Sequence, residues 1–216
     1  MTQYFITSTG TEIGKTLITA GLAHQYGFKA FKPLISGVTD TTMAGSDTEI
    51  LAHAQKMPAT LESWNSLSPL RFKAALAPSM AAKLEGKTLN YDHLLDLCKG
   101  WLQSHPNCLI EGVGGSFVPL VDDKLVINWI KDLNLPSMMV IGSYLGTISH
   151  TLATLEASLN RGITTTRIFV SESAGDDHPD FRDTCAEIAR LTKLPVVAVP
   201  RLSGDHPWQN LPPLMD

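Results

Sequence analysis

The sequence predicts an α/β fold in which a mostly parallel β-sheet is flanked by helices on both faces, within a single domain at residues 1–216. Short apolar runs alternate with stretches of helical character, an order typical of parallel sheets. Most of these runs are continuously apolar, as expected of strands that are covered on both faces. Of the 216 residues, 44% are hydrophobic, which is enough for one sizeable core.

Six apolar runs are predicted to be strands. They are Tyr4–Thr7, Ala30–Phe31, Cys108–Ile110, Met138–Ile141, Ile168–Val170 and Val196–Val199. Six further stretches are predicted to be helices. They are Lys15–Tyr26, Asp47–Ala54, Pro78–Leu84, Tyr91–Gln103, Ser149–Asn160 and Asp180–Leu191. In an open parallel sheet, ligands bind beyond the carboxyl ends of the strands, so the residues after each strand are candidates for a functional site.

Composition and charge exclude several classes of function. The net charge of −4, with both signs mixed along the chain, gives no basic surface for nucleic acid. The sequence shows no targeting segment and no apolar run long enough to span a bilayer, so we expect a cytoplasmic protein without a membrane partner. Cys98, Cys108 and Cys185 are odd in number and widely spaced, which favours reduced packing residues over disulfides or a metal motif.

A glycine-containing loop follows the first strand and opens a helix, with the sequence STGTEIGKT at residues 8–16. Backbone N–H groups in such a loop and at the helix N-terminus favour phosphate. Lys15 would neutralise β- and γ-phosphate oxygens, and the Thr16 hydroxyl would bind Mg²⁺. The standard motif has glycine where this chain has Thr9, so a purely structural turn is the alternative. Because strand, loop and helix occur in the required order, we favour phosphate binding.

A second polar cluster, KPLISG at residues 32–37, follows the second strand. Pro33 and Gly37 define a turn that would direct Lys32 and Ser36 at a ligand. Taken alone, a lysine at this place is more typical of a solvated surface charge.

Two carboxylates are candidates for a metal site. Glu111 ends a predicted buried strand, and three glycines follow it within residues 112–115. A buried charge is costly unless it is paired or bound to a metal, and glycines allow a ligand to approach the backbone. We therefore favour metal binding by Glu111 over a structural ion pair. Asp47 starts a predicted helix, and by itself it is more typical of a helix N-terminus than of a metal ligand.

Together these clusters resemble the dethiobiotin synthetases, a family of P-loop NTPases. The family pattern contains T-G-T-D-T-x-x-G-K-T, K-P-x-x-S-G, S-D and E-G-x-G-G, which residues 7–16, 32–37, 46–47 and 111–115 match in the same order. Residues 142–150 are similar to the family's G-x-x-L-G-x-I-N-H stretch. The resemblance covers nearly the whole chain and implies a P-loop NTPase-type fold.

The resemblance implies a ligase of biotin biosynthesis, with ATP as co-substrate and Mg²⁺ as cofactor. Its substrate 7,8-diaminononanoate would react with CO₂ to form a carbamate. ATP would phosphorylate the carbamate to a carbamic-phosphoric anhydride, and ring closure would give dethiobiotin, ADP and phosphate. The family is dimeric, so we expect a homodimer in which the partner's helix N-terminus, at about Gly146–Ser149, binds the substrate carboxylate.

The resemblance also implies roles for individual residues. Lys32 and Lys15 would be catalytic. The nucleotide-binding residues would be Thr11, Glu12, Ile13, Gly14, Lys15, Thr16, Leu17, Glu111, Gly112, Gly114, Gly115, Ser171 and Pro200. The substrate-binding residues would be Thr11, Lys32, Ser36, Gly146, Thr147 and Ser149. The metal ligands would be Thr16, Asp47 and Glu111.

The chain departs from the family pattern at several positions. Ser8 and Gly10 stand where the family has glycine and aspartate, and Ser79 and Ser149 replace a histidine and an asparagine. Ser171-Glu172 stands where an Asn-Asp pair helps to recognise adenine, so the preferred base is left open. The departures motivate an alternative hypothesis, a nucleotide-binding regulatory protein or a P-loop member with a different substrate.

Overall fold

The computed structural model describes residues 2–39, 41, 43–175 and 178–215. Its strands are β1 (Thr2–Ser8), β2 (Lys29–Phe31), β3 (Leu34–Ser36), β4 (Leu70–Phe72), β5 (Asn107–Glu111), β6 (Pro119–Val121), β7 (Lys124–Leu125), β8 (Ser137–Gly142), β9 (Thr165–Ser171) and β10 (Val196–Val199). Its helices are α1 (Lys15–Tyr26), α2 (Asp47–Ala54), α3 (Leu61–Leu67), α4 (Pro78–Leu84), α5 (Tyr91–Ser104), α6 (Val126–Leu133), α7 (Thr147–Leu159) and α8 (Phe181–Thr192), with a 3₁₀ helix at Pro207–Asn210. Within the described ranges, no helix is both long and apolar enough to cross a membrane.

A six-stranded parallel sheet forms the centre of the fold, in the order β10-β9-β8-β1-β5-β2. This sheet confirms the predicted α/β fold. β1 lies inside the sheet and pairs with β5 on one side and β8 on the other. The loops that follow β1, β5 and β8 therefore open at one edge of the sheet, where the order of the strands reverses.

Apolar side chains cover both faces of β1. Phe5 faces one cluster and packs edge to face against Trp129 of α6, with 4.9 Å between the ring centroids. The next residue, Ile6, belongs to the opposite cluster together with Ile18 of α1. Because neighbouring residues of a strand point to opposite faces, a strand buried on both sides needs a continuously apolar sequence.

All six predicted strands of the sheet and all six predicted helices are present, with small differences at their ends. The largest difference at a helix start is at α7, which begins at Thr147 rather than Ser149 because the preceding Gly146 adopts a positive φ of 96°. The sequence did not predict α3, α6 or the two-stranded sheets β3-β4 and β6-β7. The strands of these small sheets have two or three residues, too few to show a periodic pattern. β2 is equally short, and its prediction rested on the apolar pair Ala30–Phe31 alone.

Candidate active site

The loop between β1 and α1 is shaped for close approach by an anion. Gly14 has a φ of 92°, and a Cβ at this position would lie 2.9 Å from Ser171 Oγ, so only glycine fits without strain. α1 begins at the next residue, and no side chain caps its N-terminus. The N–H groups of its first turn therefore remain available for a ligand.

Lys15 bends back onto this loop. Its Nζ donates to Ser8 Oγ at 3.0 Å and to the Gly10 carbonyl at 3.3 Å, and its side chain is buried. Burial disfavours the charged form, and repulsion from Lys32 adds to this effect, so that the pKa of Lys15 is lowered to about 8. Bound phosphate would oppose that shift, because an anion stabilises the ammonium.

An ion-pair network lies beside Lys15; Lys32 and Glu111 are buried in it, and Asp47 is partly exposed. Lys32 Nζ donates to Glu111 Oε1 at 2.6 Å and contacts Asp47 Oδ2 at 2.8 Å. Thr16 Oγ1 donates to the same Glu111 oxygen at 2.7 Å. Burial alone would lower the pKa of Lys32, but the carboxylates outweigh it and raise that pKa above its ordinary value. Burial would likewise raise the pKa of Asp47, but Lys32 holds it below its ordinary value.

Strand register brings this network together. Phe31, the last residue of β2, pairs with Ile110 of β5, so Lys32, which follows β2, and Glu111, which ends β5, lie side by side. Ile6 of β1 pairs with Glu111 from the other side, which places that carboxylate next to the loop after β1. Asp47 is the first residue of α2, and the Ser46 side chain caps this helix. Residues distant in sequence thus meet at one edge of the sheet.

The network fits the metal ion that the family resemblance implies. Glu111 Oε2 is buried and has no hydrogen-bond partner, so it is free to bind a cation. Together with Thr16 and Asp47 it offers the hard oxygen donors that Mg²⁺ prefers. In the described ranges, no group of three or more His, Cys, Asp or Glu side chains is placed to hold a metal. Two carboxylates suit Mg²⁺, which usually completes its shell with water and phosphate oxygens.

A cavity of about 610 Å³ opens above the network. The predicted site residues that line it are Thr11, Glu12, Gly14, Lys15, Thr16, Leu17, Lys32, Ser36, Asp47 and Gly114. The Ser36 hydroxyl is buried without a hydrogen-bond partner. The rest of the lining is an apolar wall that was not predicted; it consists of Ile35, Ala75, Leu76, Ala77, Pro78, Val113 and Val118. Much of this wall lies between β4 and α4, where the only sequence signal is a proline that starts a helix.

A second cavity, of about 390 Å³, lies on the other side of the loop. The predicted residues Ile13, Ser171 and Pro200 line it, and Glu12, Gly14 and Leu17 line both cavities. Its polar wall also includes Glu172, which stands in the predicted base-recognition pair, together with Tyr144 and Arg201, which were not predicted. The Glu172 carboxylate accepts a hydrogen bond from the Arg201 backbone N–H at 2.8 Å.

Six predicted site residues line neither of these two cavities: Glu111, Gly112, Gly115, Gly146, Thr147 and Ser149. Gly112 and Gly115 instead permit tight packing, since a Cβ would lie 2.8 Å from the Phe5 ring at Gly112 and 3.0 Å from the Gly10 backbone N at Gly115. Gly146, Thr147 and Ser149 lie at the start of α7. The Thr147 hydroxyl is buried and donates to the Gly142 carbonyl at 2.6 Å.

Known proteins resemble the chain over most of its length. A family model described as an AAA domain matches residues 2–204. The ATP-dependent dethiobiotin synthetase of Phenylobacterium zucineum is 39% identical over 97% of this chain and 93% of the relative. That of Caulobacter vibrioides is 41% identical over 85% of each chain, and that of Bacillus subtilis is 35% identical over 94% and 89%. A solved ParA family ATPase from Chlorobium tepidum has a TM-score of 0.52 at 15% identity, covering 94% of this chain and 85% of its own, which is a likeness of fold alone.

Proposed function

The chain belongs to the dethiobiotin synthetase family, and we propose that it catalyses the ATP-dependent conversion of 7,8-diaminononanoate and CO₂ to dethiobiotin. One amine and CO₂ form a carbamate, whose oxygen attacks the γ-phosphorus of ATP and releases ADP. The second amine then attacks the carbonyl carbon of the mixed anhydride, so that the C–O bond breaks and phosphate leaves. The observation that carries the proposal is the convergence of Lys15, Lys32 and Asp47 on one cavity, directly above Glu111.

Each lysine has a donor left for an anion. An ammonium has three N–H groups. Lys15 uses two of them on Ser8 and Gly10, and Lys32 uses two on Glu111 and Asp47. In this proposal the third N–H of Lys15 binds the β- and γ-phosphates. The third N–H of Lys32 binds the carbamate and the γ-phosphoryl, where charge develops during transfer.

ATP would extend across both cavities. Its phosphates would lie on the residues that line both, Glu12, Gly14 and Leu17, and its base would occupy the cavity beside Ser171 and Pro200. Thr16, Asp47 and Glu111 would hold Mg²⁺. The metal would neutralise charge on the β- and γ-phosphates. Close packing of Gly112 and Gly115 would keep Gly114 at the phosphate side of the first cavity.

The diamine would occupy the rest of the 610 Å³ cavity. Its alkyl chain suits the apolar wall formed by Ile35, Ala75–Pro78 and Val118, where burial removes apolar surface from water. Thr11 and the unpartnered Ser36 hydroxyl would orient the amine and the carbamate. A bound substrate would thus bridge the apolar wall and the two lysines.

The proposal includes a homodimer of single-domain chains that acts in the cytoplasm, where ATP is available. Leu145, Leu152 and Leu159 follow one another at seven-residue intervals along α7 and its N-terminal loop, and their side chains are 80%, 38% and 74% exposed. Leu152 and Leu159, seven residues apart, lie on one face of α7, and Leu145 lies in the loop just before its first residue. A second copy that covers this face would bring its Gly146, Thr147 and Ser149 towards the tail of the substrate.

The alternative of a regulatory nucleotide-binding protein is not favoured, because the relatives are named as synthetases. The test is to mix purified protein with 7,8-diaminononanoate, bicarbonate, Mg²⁺ and ATP and to measure dethiobiotin by mass spectrometry. We expect product that requires all four components and that disappears with EDTA. CTP and GTP in place of ATP would show which base the Ser171-Glu172 site accepts. Nucleotide binding without product from any nucleotide would contradict the proposal.

A further inference from the structure

Ser8 connects three groups at the start of the phosphate-binding loop. Its side chain is fully buried, and its Oγ lies 3.0 Å from Lys15 Nζ, 2.7 Å from the Gly10 carbonyl and 2.9 Å from the Gly114 carbonyl. The dethiobiotin synthetase pattern has glycine at this position. The hydroxyl is therefore an addition that the family pattern does not require.

Counting donors selects one arrangement of these hydrogen bonds. A serine hydroxyl has one proton, so Ser8 cannot donate to both carbonyls at once. Lys15 Nζ already donates to the Gly10 carbonyl at 3.3 Å. Every carbonyl is paired when Ser8 donates to Gly114 and accepts from Lys15. If Ser8 donated to Gly10 instead, the Gly114 carbonyl would lose this hydrogen bond, so the first arrangement is favoured.

The resulting chain of hydrogen bonds fixes the Lys15 ammonium. Two of its three N–H groups are engaged by Ser8 and Gly10, which leaves the third for the cavity that Lys15 lines. The same chain ties the phosphate-binding loop to the loop after β5. A Cβ at Gly115 would lie 3.0 Å from the Gly10 backbone N, so these two loops also pack closely.

We propose that Ser8 is a positioning residue for the phosphate-binding lysine. Its hydroxyl holds the Lys15 ammonium between Gly10 and Gly114, so that one N–H is kept for a nucleotide phosphate. This inference rests on the proposed binding of ATP phosphates by Lys15. In this role Ser8 does not contact the substrate; it affects the reaction only by orienting Lys15.

A neighbouring serine provides a matched control. Ser116 is also buried, and its hydroxyl hydrogen-bonds with Thr7 Oγ1 at 2.7 Å and donates to the Ser8 carbonyl at 3.2 Å. Both of its partners thus lie in β1, and it makes no hydrogen bond with Lys15. Ser116→Ala removes a buried hydroxyl from the same neighbourhood and leaves the Lys15 hydrogen bonds intact.

The test compares wild type with Ser8→Ala, Ser8→Gly and Ser116→Ala. ATP affinity is measured by calorimetry without the diamine, and KM is measured for both substrates. Because a hydrogen bond to a charged group is lost, we expect both Ser8 variants to raise the Kd and KM for ATP about tenfold. The KM for the diamine should stay within about twofold of wild type. Ser116→Ala should keep the wild-type ATP affinity even if its melting temperature falls.

Three results would overturn an assignment: two of them concern the positioning role of Ser8, and the third concerns the proposed function. Ser8 variants that bind ATP as tightly as wild type would overturn the positioning role alone. Equal weakening by Ser116→Ala would show that loosened packing is the cause, and would also overturn that role. A wild-type protein that binds no ATP would overturn the proposed function itself. If Ser8→Ala does not fold, Ser8→Gly serves as the test, because glycine is the residue of the family pattern.

Discussion

Substitution of Lys32 should lower turnover far more than it lowers nucleotide affinity. Its ammonium is engaged by Glu111 and Asp47, and in the proposed reaction it acts where charge develops on the transferred phosphoryl. We expect Lys32→Ala to lower kcat by about 100-fold or more, as for other groups that stabilise transition-state charge. The Kd for ATP should change less than about threefold. Calorimetry with ATP and a dethiobiotin assay measure the two quantities.

A double variant controls for lost stability in this experiment. Lys32→Ala leaves Glu111 buried without its cation, which is a destabilising change. Lys32→Ala combined with Glu111→Gln removes the unpaired charge, and it should unfold at a higher temperature than the single variant while remaining inactive. A loss of ATP affinity as large as the loss of kcat would show that Lys32 binds nucleotide in the ground state.

Lys15 should make nucleotide binding depend on pH. Its pKa in the free protein is lowered to about 8, so the neutral amine prevails above that pH, whereas a bound phosphate favours the ammonium. Binding must then take up a proton. We expect the Kd for ADP, measured in EDTA so that no metal intervenes, to rise steadily between about pH 8 and pH 9.5. Lys15→Met should bind weakly with little pH dependence. A flat wild-type profile over this range would contradict the assignment.

The same shift affects stability in the opposite direction. Below about pH 8 the Lys15 amine is protonated in both the folded and the unfolded chain. Between that value and the ordinary lysine pKa of 10.5, the unfolded chain binds more protons than the folded one. The contribution of Lys15 to the free energy of unfolding therefore rises with pH across this window. As the pH rises above about 8, nucleotide affinity should therefore fall while the contribution of Lys15 to stability rises.

At the scale of elements, the C-terminal segment packs closely on α1. A Cβ at Gly21 would lie 2.4 Å from Leu211 Cδ1 and 2.8 Å from Leu214 Cδ1. Gln25, one turn further on, donates to the Leu211 and Pro212 carbonyls. We expect Gly21→Ala to lower the free energy of unfolding by about 1–2 kcal/mol, because moving the leucines costs more than the helix propensity of alanine gains. Urea denaturation followed by circular dichroism measures this change.

Gly100 in α5 is the matched control for that substitution. It is exposed, and a Cβ added to it would meet no atom within 4 Å beyond its own turn of helix. Gly100→Ala should therefore stabilise the protein by about 0.5–1 kcal/mol, the usual difference in helix propensity. If both variants were stabilised equally, the close approach of the C-terminal segment to α1 would be wrong.

The elements that could be predicted from the sequence are those whose pattern is local. β1 and β5 are buried on both faces and appear as continuous apolar runs, and Gly14-Lys15-Thr16 marks the start of α1. The pairing of Lys32 with Glu111 depends on the register of β2 against β5, which no local pattern specifies. The apolar wall of the first cavity was missed for the same reason, since its residues come from separate parts of the chain, Ile35, Ala75–Pro78, Val113 and Val118.

Family resemblance extended these local predictions, because it supplied residues that have no local signal. Asp47 alone is an ordinary first residue of a helix, yet it lies 2.8 Å from Lys32 Nζ. Ser8 shows the limit of such transfer. The family pattern marks it only as a departure from glycine, and its contacts with Lys15 and Gly114 emerge only from the packing of two loops.

At the scale of the whole molecule, a single chain does not place all of the predicted substrate-binding residues at the cavity that Lys32 lines. Gly146, Thr147 and Ser149 line neither cavity, whereas in the proposal they bind the substrate carboxylate. Leu145, next to them, is 80% exposed. A partner chain that covers Leu145 would account for both observations. The substrate tail would then be bound by one chain and the reacting amines by the other.

This arrangement predicts that disrupting the dimer weakens diamine binding selectively. Leu145→Glu places a charge in the proposed interface, so we expect the mass measured by light scattering to fall from two chains to one. The KM for the diamine should rise at least about tenfold, because the partner's helix N-terminus is lost. The Kd for ATP should be unchanged, since both nucleotide cavities lie within one chain. Leu61→Glu, at a 46% exposed leucine of α3, should remain dimeric with a wild-type KM. A Leu145→Glu protein that stays dimeric would place the interface on another face.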